Sequence, residues 1–149
     1  MYENNPIRVY VTHTFAEDED YLRIFEFLEG VDRFFYVNLS KPENVPASGG
    51  MEAIKEELIR QIKECEAVVV PAAHYQRNPE LIRFQMDVAD ANEKPIIAVR
   101  HFGGTAETPK ELLDRANEHI EWNPREIADA LRRQARLEDT SRWDVIDFP

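Results

Sequence analysis

Ala67-Val-Val-Val70 and Pro95-Ile-Ile-Ala-Val99 are unbroken apolar runs, each following a segment of helical periodicity. Short runs of this kind suit strands buried on both faces, the condition of a parallel sheet with helices on either side. Toward the N-terminus, Ile54, Leu58, Ile62 and Cys65 make a helical stripe in a segment beginning near Met51, and Ile7-Arg-Val-Tyr-Val11 is a β-branched and aromatic strand. Between them Tyr21, Leu22, Phe25 and Leu28 share one helix face. That helix is predicted to open in the acidic stretch Glu17-Asp-Glu-Asp20 and to close on Gly30 in the left-handed conformation. Phe34-Phe-Tyr-Val37 reads as the second strand.

Toward the C-terminus, Asn78-Pro79 opens a third helix, and Thr108-Pro-Lys-Glu111 and Asn123-Pro-Arg-Glu126 have the spacing of capping boxes. His119-Ile-Glu-Trp122 is a short fifth strand, and Ile127, Leu131 and Leu137 form the inner face of a last helix. Strands and helices alternating through a chain of this size predict an α/β fold. It is a flavodoxin-like, doubly wound, five-stranded parallel sheet of order 2-1-3-4-5. One domain is expected over residues 1–137, followed by an acidic tail, residues 138–149, whose Trp143 hints at a self-contact or partner contact.

The 149 residues carry 18 Lys+Arg against 29 Asp+Glu, a formal charge of −11, which argues against non-specific binding to nucleic acid or to an anionic membrane. One cysteine makes no internal disulfide and, with four scattered histidines, no structural zinc cluster, so no metal is expected and a reducing cytoplasm is the expected setting. The apolar runs are too short to cross a bilayer, and Met1 to Pro6 carries no basic leader region.

In this fold class ligands bind beyond the carboxyl ends of the strands, near the switch between strands one and three. The residues to inspect are Thr12 to Phe15, the Pro- and Gly-containing loop Asn38 to Gly50, and Pro71 to Tyr75. The turn after strand one is acidic and lacks glycine, a poor cradle for flavin phosphate. Strand three ends in Val70-Pro-Ala-Ala-His74 without the Asp of a phospho-acceptor receiver. Neither G-x-G-x-x-G nor G-x-x-x-x-G-K-[ST] occurs, and there is no nucleophile elbow for Ser-His-Asp hydrolysis.

Three motifs in order carry a family resemblance. Thr12-His13-Thr14 is similar to Ser-His-Ser, Asn38-Leu-Ser-Lys-Pro42 to Asn-aromatic-Ser-x-Pro, and Lys94-Pro-Ile-Ile97 with His101-Phe-Gly-Gly104 to Lys-Pro-Ile-Ile followed by Pro-Trp-Gly. Together they resemble the TIR-like family of short single-domain proteins that includes the TIR component of the Thoeris anti-phage system. The resemblance spans roughly residues 7 to 135.

The resemblance implies cleavage of the bond between nicotinamide and ribose in NAD⁺, a substrate rather than a resident cofactor, to give a hydrolysed, cyclic or conjugated ADP-ribose signal. It further implies a homo-oligomer, a phage-derived activator and a downstream effector reached through that signal. A carboxylate near the ribose stabilises the oxocarbenium-like transition state. In the family this is a glutamate eleven residues before the first Ile of the following strand, four residues after a tryptophan. Here those positions are Gln85 and Leu81.

Gln keeps the shape and hydrogen-bond reach of Glu without its charge, so the chain as written is expected to bind a nicotinamide dinucleotide better than it cleaves it. Two origins fit: a catalytically weak member that senses or scaffolds, or a Glu→Gln replacement that traps substrate, the latter favoured because the surrounding motifs are intact. Asp87 lies about 200° around the helix from Gln85, and Glu80 sits where a carboxylate complements the helix dipole. The substrate-binding candidates are Thr12, His13, Thr14, Asn38, Ser40, His74, Tyr75 and Leu81. Each has a plainer counterpart: His13 bonded to backbone, Asn38 and Ser40 forming a turn, Tyr75 covering the core. His101 and Gly103-Gly104 would shape the rim, while His119 and Cys65 read as structural. A catalytically silent binding module and a nucleoside deoxyribosyltransferase are the alternatives.

Overall fold

The computed structural model describes residues 4–103 and 107–137. In chain order the elements are β1 (Ile7–Val11), α1 (Glu19–Glu29), β2 (Tyr36–Asn38), α2 (Gly50–Lys63), β3 (Ala67–Pro71), α3 (Ala72–Arg77), α4 (Pro79–Ala91), β4 (Ile96–Val99), α5 (Lys110–Arg115), β5 (Glu118–Ile120) and α6 (Pro124–Arg136). The five strands are all parallel, in the order β2-β1-β3-β4-β5. This is the doubly wound sheet that the alternation of the sequence predicts.

Strand periodicity divides the core between the two faces. Ile7, Val9 and Val11 of β1, Val69 of β3 and Ile97 and Val99 of β4 pack with Tyr21, Ile24 and Leu28 of α1 and with Ile127, Ala128 and Leu131 of α6. Tyr10, Val68, Val70, Ile96 and Ala98 point the other way, onto Ile62, Tyr75, Ile82, Met86 and Leu112 from α2, α3, α4 and α5. Among the described residues no helix is long and apolar enough to cross a membrane.

Local chemistry explains where the structure departs from the pattern. Gly30 stands at the C-cap of α1 but is right-handed (φ −83°), and the left-handed residue of that corner is Arg33 (φ 58°). β2 begins at Tyr36, where pairing with Ile7 sets in, and Phe34 is buried beneath the Arg132 guanidinium, 5.2 Å from its ring centroid. The segment after β3 is a helix, α3, because Ala72 and Ala73 favour that state and no glycine interrupts it.

Pro109 is extended (ψ 136°), so α5 starts at Lys110 without a side-chain cap and Thr108 lies outside the predicted box. Asn123 does cap α6, its Oδ1 accepting from the Glu126 amide at 3.0 Å. β5 ends at Ile120, and Trp122 packs edge-on against Phe27 and Phe102 instead of continuing the strand. Leu137 is left-handed and 89% exposed, so it leaves the inner face of α6, which is fully buried as far as Leu131 and partly buried at Ala135. At the start of α2, Gly49 has φ 99° and an added Cβ would stand 2.7 Å from Ala53 Cβ, which makes glycine necessary there. The acidic tail, Trp143 and Gly104 lie outside the described residues.

Candidate functional site

Gln85 sits on α4 with no solvent exposure, facing the end of β1. Its Oε1 accepts from the Tyr10 hydroxyl at 2.6 Å and from the His13 amide at 3.2 Å, while its Nε2 donates to the His13 carbonyl at 2.8 Å and the Leu81 carbonyl at 3.2 Å. Every donor and acceptor of the amide is used. Burial raises the Tyr10 phenol well above its usual range, so it donates. A carboxylate would set a second oxygen against two carbonyl oxygens, where only an N–H fits. This geometry calls for an amide in its own right, and it holds the turn after β1 instead of facing a cleft.

A second glutamine repeats the device on the next loop. Gln61 of α2 accepts from the Lys41 amide at 2.8 Å, donates to the Lys41 carbonyl at 3.1 Å and donates to Glu57 at 3.0 Å. His13 joins the two clamps. Its Nδ1 accepts from the Phe15 amide at 3.0 Å, which leaves the proton on Nε2, 2.9 Å from Gln61 Oε1. Burial lowers its pKa below the ordinary histidine value and keeps the ring neutral, outweighing the Gln61 hydrogen bond.

Thr12, His74 and Asp18 form a chain: Thr12 Oγ1 is 3.0 Å from His74 Nδ1, and His74 Nε2 is 2.9 Å from Asp18 Oδ1. Asp18 also caps α1 through the Tyr21 amide (2.8 Å) and pairs with Arg77 (2.8 Å). Burial works to raise the Asp18 carboxyl, but the bonds from His74, Tyr21 and Arg77 prevail and hold it well below the usual carboxylate range. The line of hydroxyl, imidazole and carboxylate has the composition of a nucleophilic triad, yet Thr12 is fully buried and within no reach of a substrate. It ties β1, α1 and α3 together.

Asn38 Oδ1 accepts from the Ser40 amide at 2.9 Å and from the Ser40 hydroxyl, and Asn38 Nδ2 donates to the Tyr21 hydroxyl at 2.9 Å. These two residues build the turn that opens the long loop. Tyr75 is buried, with its hydroxyl accepting from Arg83 at 3.1 Å, and covers the core. Thr14 is exposed on the turn after β1. The structure thus gathers Thr12, His13, Asn38, Ser40, His74 and Gln85 at the carboxyl edge of the sheet, largely as a satisfied polar layer beneath the surface.

Leu81 belongs to something different. With Met51, Lys55, Asn78, Glu80 and Phe84 it lines a cleft of about 180 Å³ between the first turns of α2 and α4. Lys55 Nζ lies 5.1 Å from the centroid of Phe84, so a cation and an aromatic face share one wall. Among the described residues no group of three or more His, Cys, Asp and Glu is placed to hold a metal ion. Tyr10, Asp18, Glu57 and Gln61 are site residues that sequence reasoning misses. The signal for two of them is Glu57 and Gln61 four apart beside the apolar stripe of α2, polar side chains buried on a core-facing helix.

No family model matches the chain, and no curated protein does. Among solved structures, the chain is similar to a CMP N-glycosidase, BcmB, of Clostridium botulinum. The two share 18% identity and a TM-score of 0.49 over 83% of this chain and 97% of that one. It is also similar to a 3-dehydroquinate dehydratase-like protein of Bifidobacterium longum, with 14% identity and a TM-score of 0.46 over 89% of this chain and 96% of that one. Likeness at this level concerns the fold and assigns no chemistry.

Proposed function

We propose that the chain is a TIR-like nucleotide-binding module that takes NAD⁺ or an ADP-ribose derivative at the α2–α4 cleft without cleaving it. The observation that carries this reading is the Gln85 amide, fully hydrogen-bonded and inaccessible at the position where the family resemblance expects a catalytic glutamate. A side chain with no charge and no exposure cannot stabilise an oxocarbenium ion. The cleft is smaller than the roughly 300–1,000 Å³ of sites that enclose a whole drug-sized ligand, so it takes one planar ring, with the remainder of the dinucleotide lying across the surface. Phe84 and Leu81 supply the apolar face for that ring, and Lys55 the charge for a neighbouring phosphate. A role in anti-phage signalling, through a homo-oligomer and a phage-derived activator, follows from the same resemblance and belongs to the same proposal.

A second reading, turnover of NAD⁺ to an ADP-ribose signal, is favoured by Glu80, an exposed carboxylate on the wall of this cleft. One experiment separates the two: calorimetry of NAD⁺ binding, with nicotinamide release followed by chromatography, for the native chain, Gln85→Glu and Glu80→Gln. Binding without release in all three supports the module. Release by the native chain that Glu80→Gln abolishes establishes the second reading, release that appears only in Gln85→Glu restores the family mechanism, and absence of binding sinks both readings.

A further inference from the structure

On another part of the surface the turn after α1 and the N-terminal part of α6 enclose a cleft of about 490 Å³ lined by Gly30, Val31, Asp32, Arg33, Pro124, Arg125 and Arg132. Three arginines line it in a chain whose net charge is −11. They differ in how firmly they are held. Arg132 is fixed: Nη1 donates to Asp129 at 2.7 Å, Nη2 to the Arg33 carbonyl at 3.4 Å, and its plane covers Phe34. Arg125 is mostly exposed and lies 3.5 Å from the same Asp129 carboxylate. Arg33 has no side-chain partner among the described residues, and its backbone is left-handed (φ 58°), a conformation that a non-glycine residue adopts at a cost of about 1–2 kcal/mol.

We propose that this cleft is an anion site for a phosphate-bearing ligand, with diphosphate the matching chemistry. Guanidinium forks bind phosphate oxygens in pairs, and an already immobilised Arg132 loses little freedom on doing so. Asp32 on the rim and Asp129 behind it are the opposing carboxylates; set against three arginines they leave the cleft with one positive charge, the reverse of the molecule as a whole. Two carboxylates also disfavour a diffuse polyanion such as nucleic acid and favour a small ligand that reaches Arg33 and Arg125 together. The site is independent of the α2–α4 cleft.

The test is titration of sodium pyrophosphate into the native chain, followed by amide NMR and calorimetry at constant ionic strength, with Arg33→Gln, Arg125→Gln and the double variant. Both arginines are exposed, so the variants keep the fold, which the same spectra verify. The expected result is saturable shifts at Gly30, Val31, Arg33 and Arg125, affinity at least 10-fold weaker in either variant, and none measurable in the double variant. Tighter binding of ADP than of pyrophosphate assigns the site to a nucleotide diphosphate, and equal binding to the inorganic anion. Shifts that do not saturate, that survive in the double variant, or that sulfate reproduces with equal affinity overturn the proposal. Because NAD⁺ binding at the other cleft is read from Leu81 and Phe84 amides, either site can fail alone.

Discussion

Gln85 and His13, 72 positions apart, exchange a pair of hydrogen bonds in which the side-chain amide of one completes the backbone N–H and C=O of the other. That pairing fixes how the chain leaves β1, and with Tyr10 beneath it closes the floor of the switch region. Gln61 holds Lys41 in the same way. The carboxyl edge of this sheet is therefore anchored by two buried amides, one of them on α4 beside the α2–α4 cleft.

Gln85→Glu is expected to destabilise the protein by about 1–3 kcal/mol at neutral pH, the cost of leaving buried carbonyls without a donor, and by more if the carboxylate stays charged. Burial raises the pKa of a carboxyl at this position above its unfolded value. The deficit therefore grows as pH rises from below the unfolded carboxyl pKa toward neutrality, because only the unfolded chain ionises freely. Urea denaturation of both proteins at acidic and neutral pH checks this; a deficit independent of pH would mean that burial does not shift the introduced carboxyl, and no deficit at either pH would mean that Glu is accommodated as well as Gln.

Stability of the native chain is expected to fall as pH drops below the ordinary histidine range. His13 has a lowered pKa when folded, chiefly through burial. Below its unfolded pKa the unfolded state binds a proton that the folded state refuses, so folding loses free energy until the pH passes the folded pKa. Protonation would also place an N–H at Nδ1 against the Phe15 amide. Thermal melts across this range, with His13→Gln for comparison, test it, and a variant with an unchanged acid limb would remove His13 as the cause.

How far the fold was legible follows from what each residue's neighbours in sequence could reveal. Ala67 to Val70 announced a two-faced strand because its partners are generic apolar surface, and Asn123 announced a cap because its partner is three residues away. Thr108 and Leu137 misled, since the same local pattern was overruled by an extended Pro109 and by a left-handed backbone at Leu137 that ends α6 and turns the side chain outward. At the site, the family resemblance pointed to position 85, but not to its role. Tyr10 and His13 reach it across 75 and 72 residues, and nothing local in the sequence shows that a buried amide has four partners.

Replacing Asp18 by Ala is expected to cost more than a simple helix cap, whose loss is worth about 0.5–2 kcal/mol. Asp18 caps α1, holds His74 and pairs with Arg77, so its removal also leaves the buried His74 Nε2 without its acceptor. Asp18→Asn retains a capping oxygen and should recover part of the loss. The charge part, which is present above the unfolded carboxylate pKa and fades as pH falls through the depressed folded value, is missing in both variants. Denaturation midpoints of the three proteins at neutral and acidic pH decide the order; equal midpoints for Ala and native would show that the network carries no net stability.

The α2–α4 cleft makes the sharpest claim about ligand recognition. Phe84 is half-buried and lines the cleft with Leu81, and Lys55 lies over its ring. Stacking of a planar base on an aromatic side chain is worth about 1–3 kcal/mol. Phe84→Ala should therefore weaken NAD⁺ binding by roughly 5- to 150-fold, whereas Phe84→Tyr, which keeps the ring, should stay close to native. Lys55→Gln should weaken NAD⁺ more than nicotinamide riboside, which lacks the diphosphate, because only the former offers an anion to the ammonium group. If calorimetry finds Phe84→Ala equal to native, or Lys55→Gln indifferent to the diphosphate, the ring and phosphate assignments within the cleft fall while the buried amide anchors beneath it are untouched.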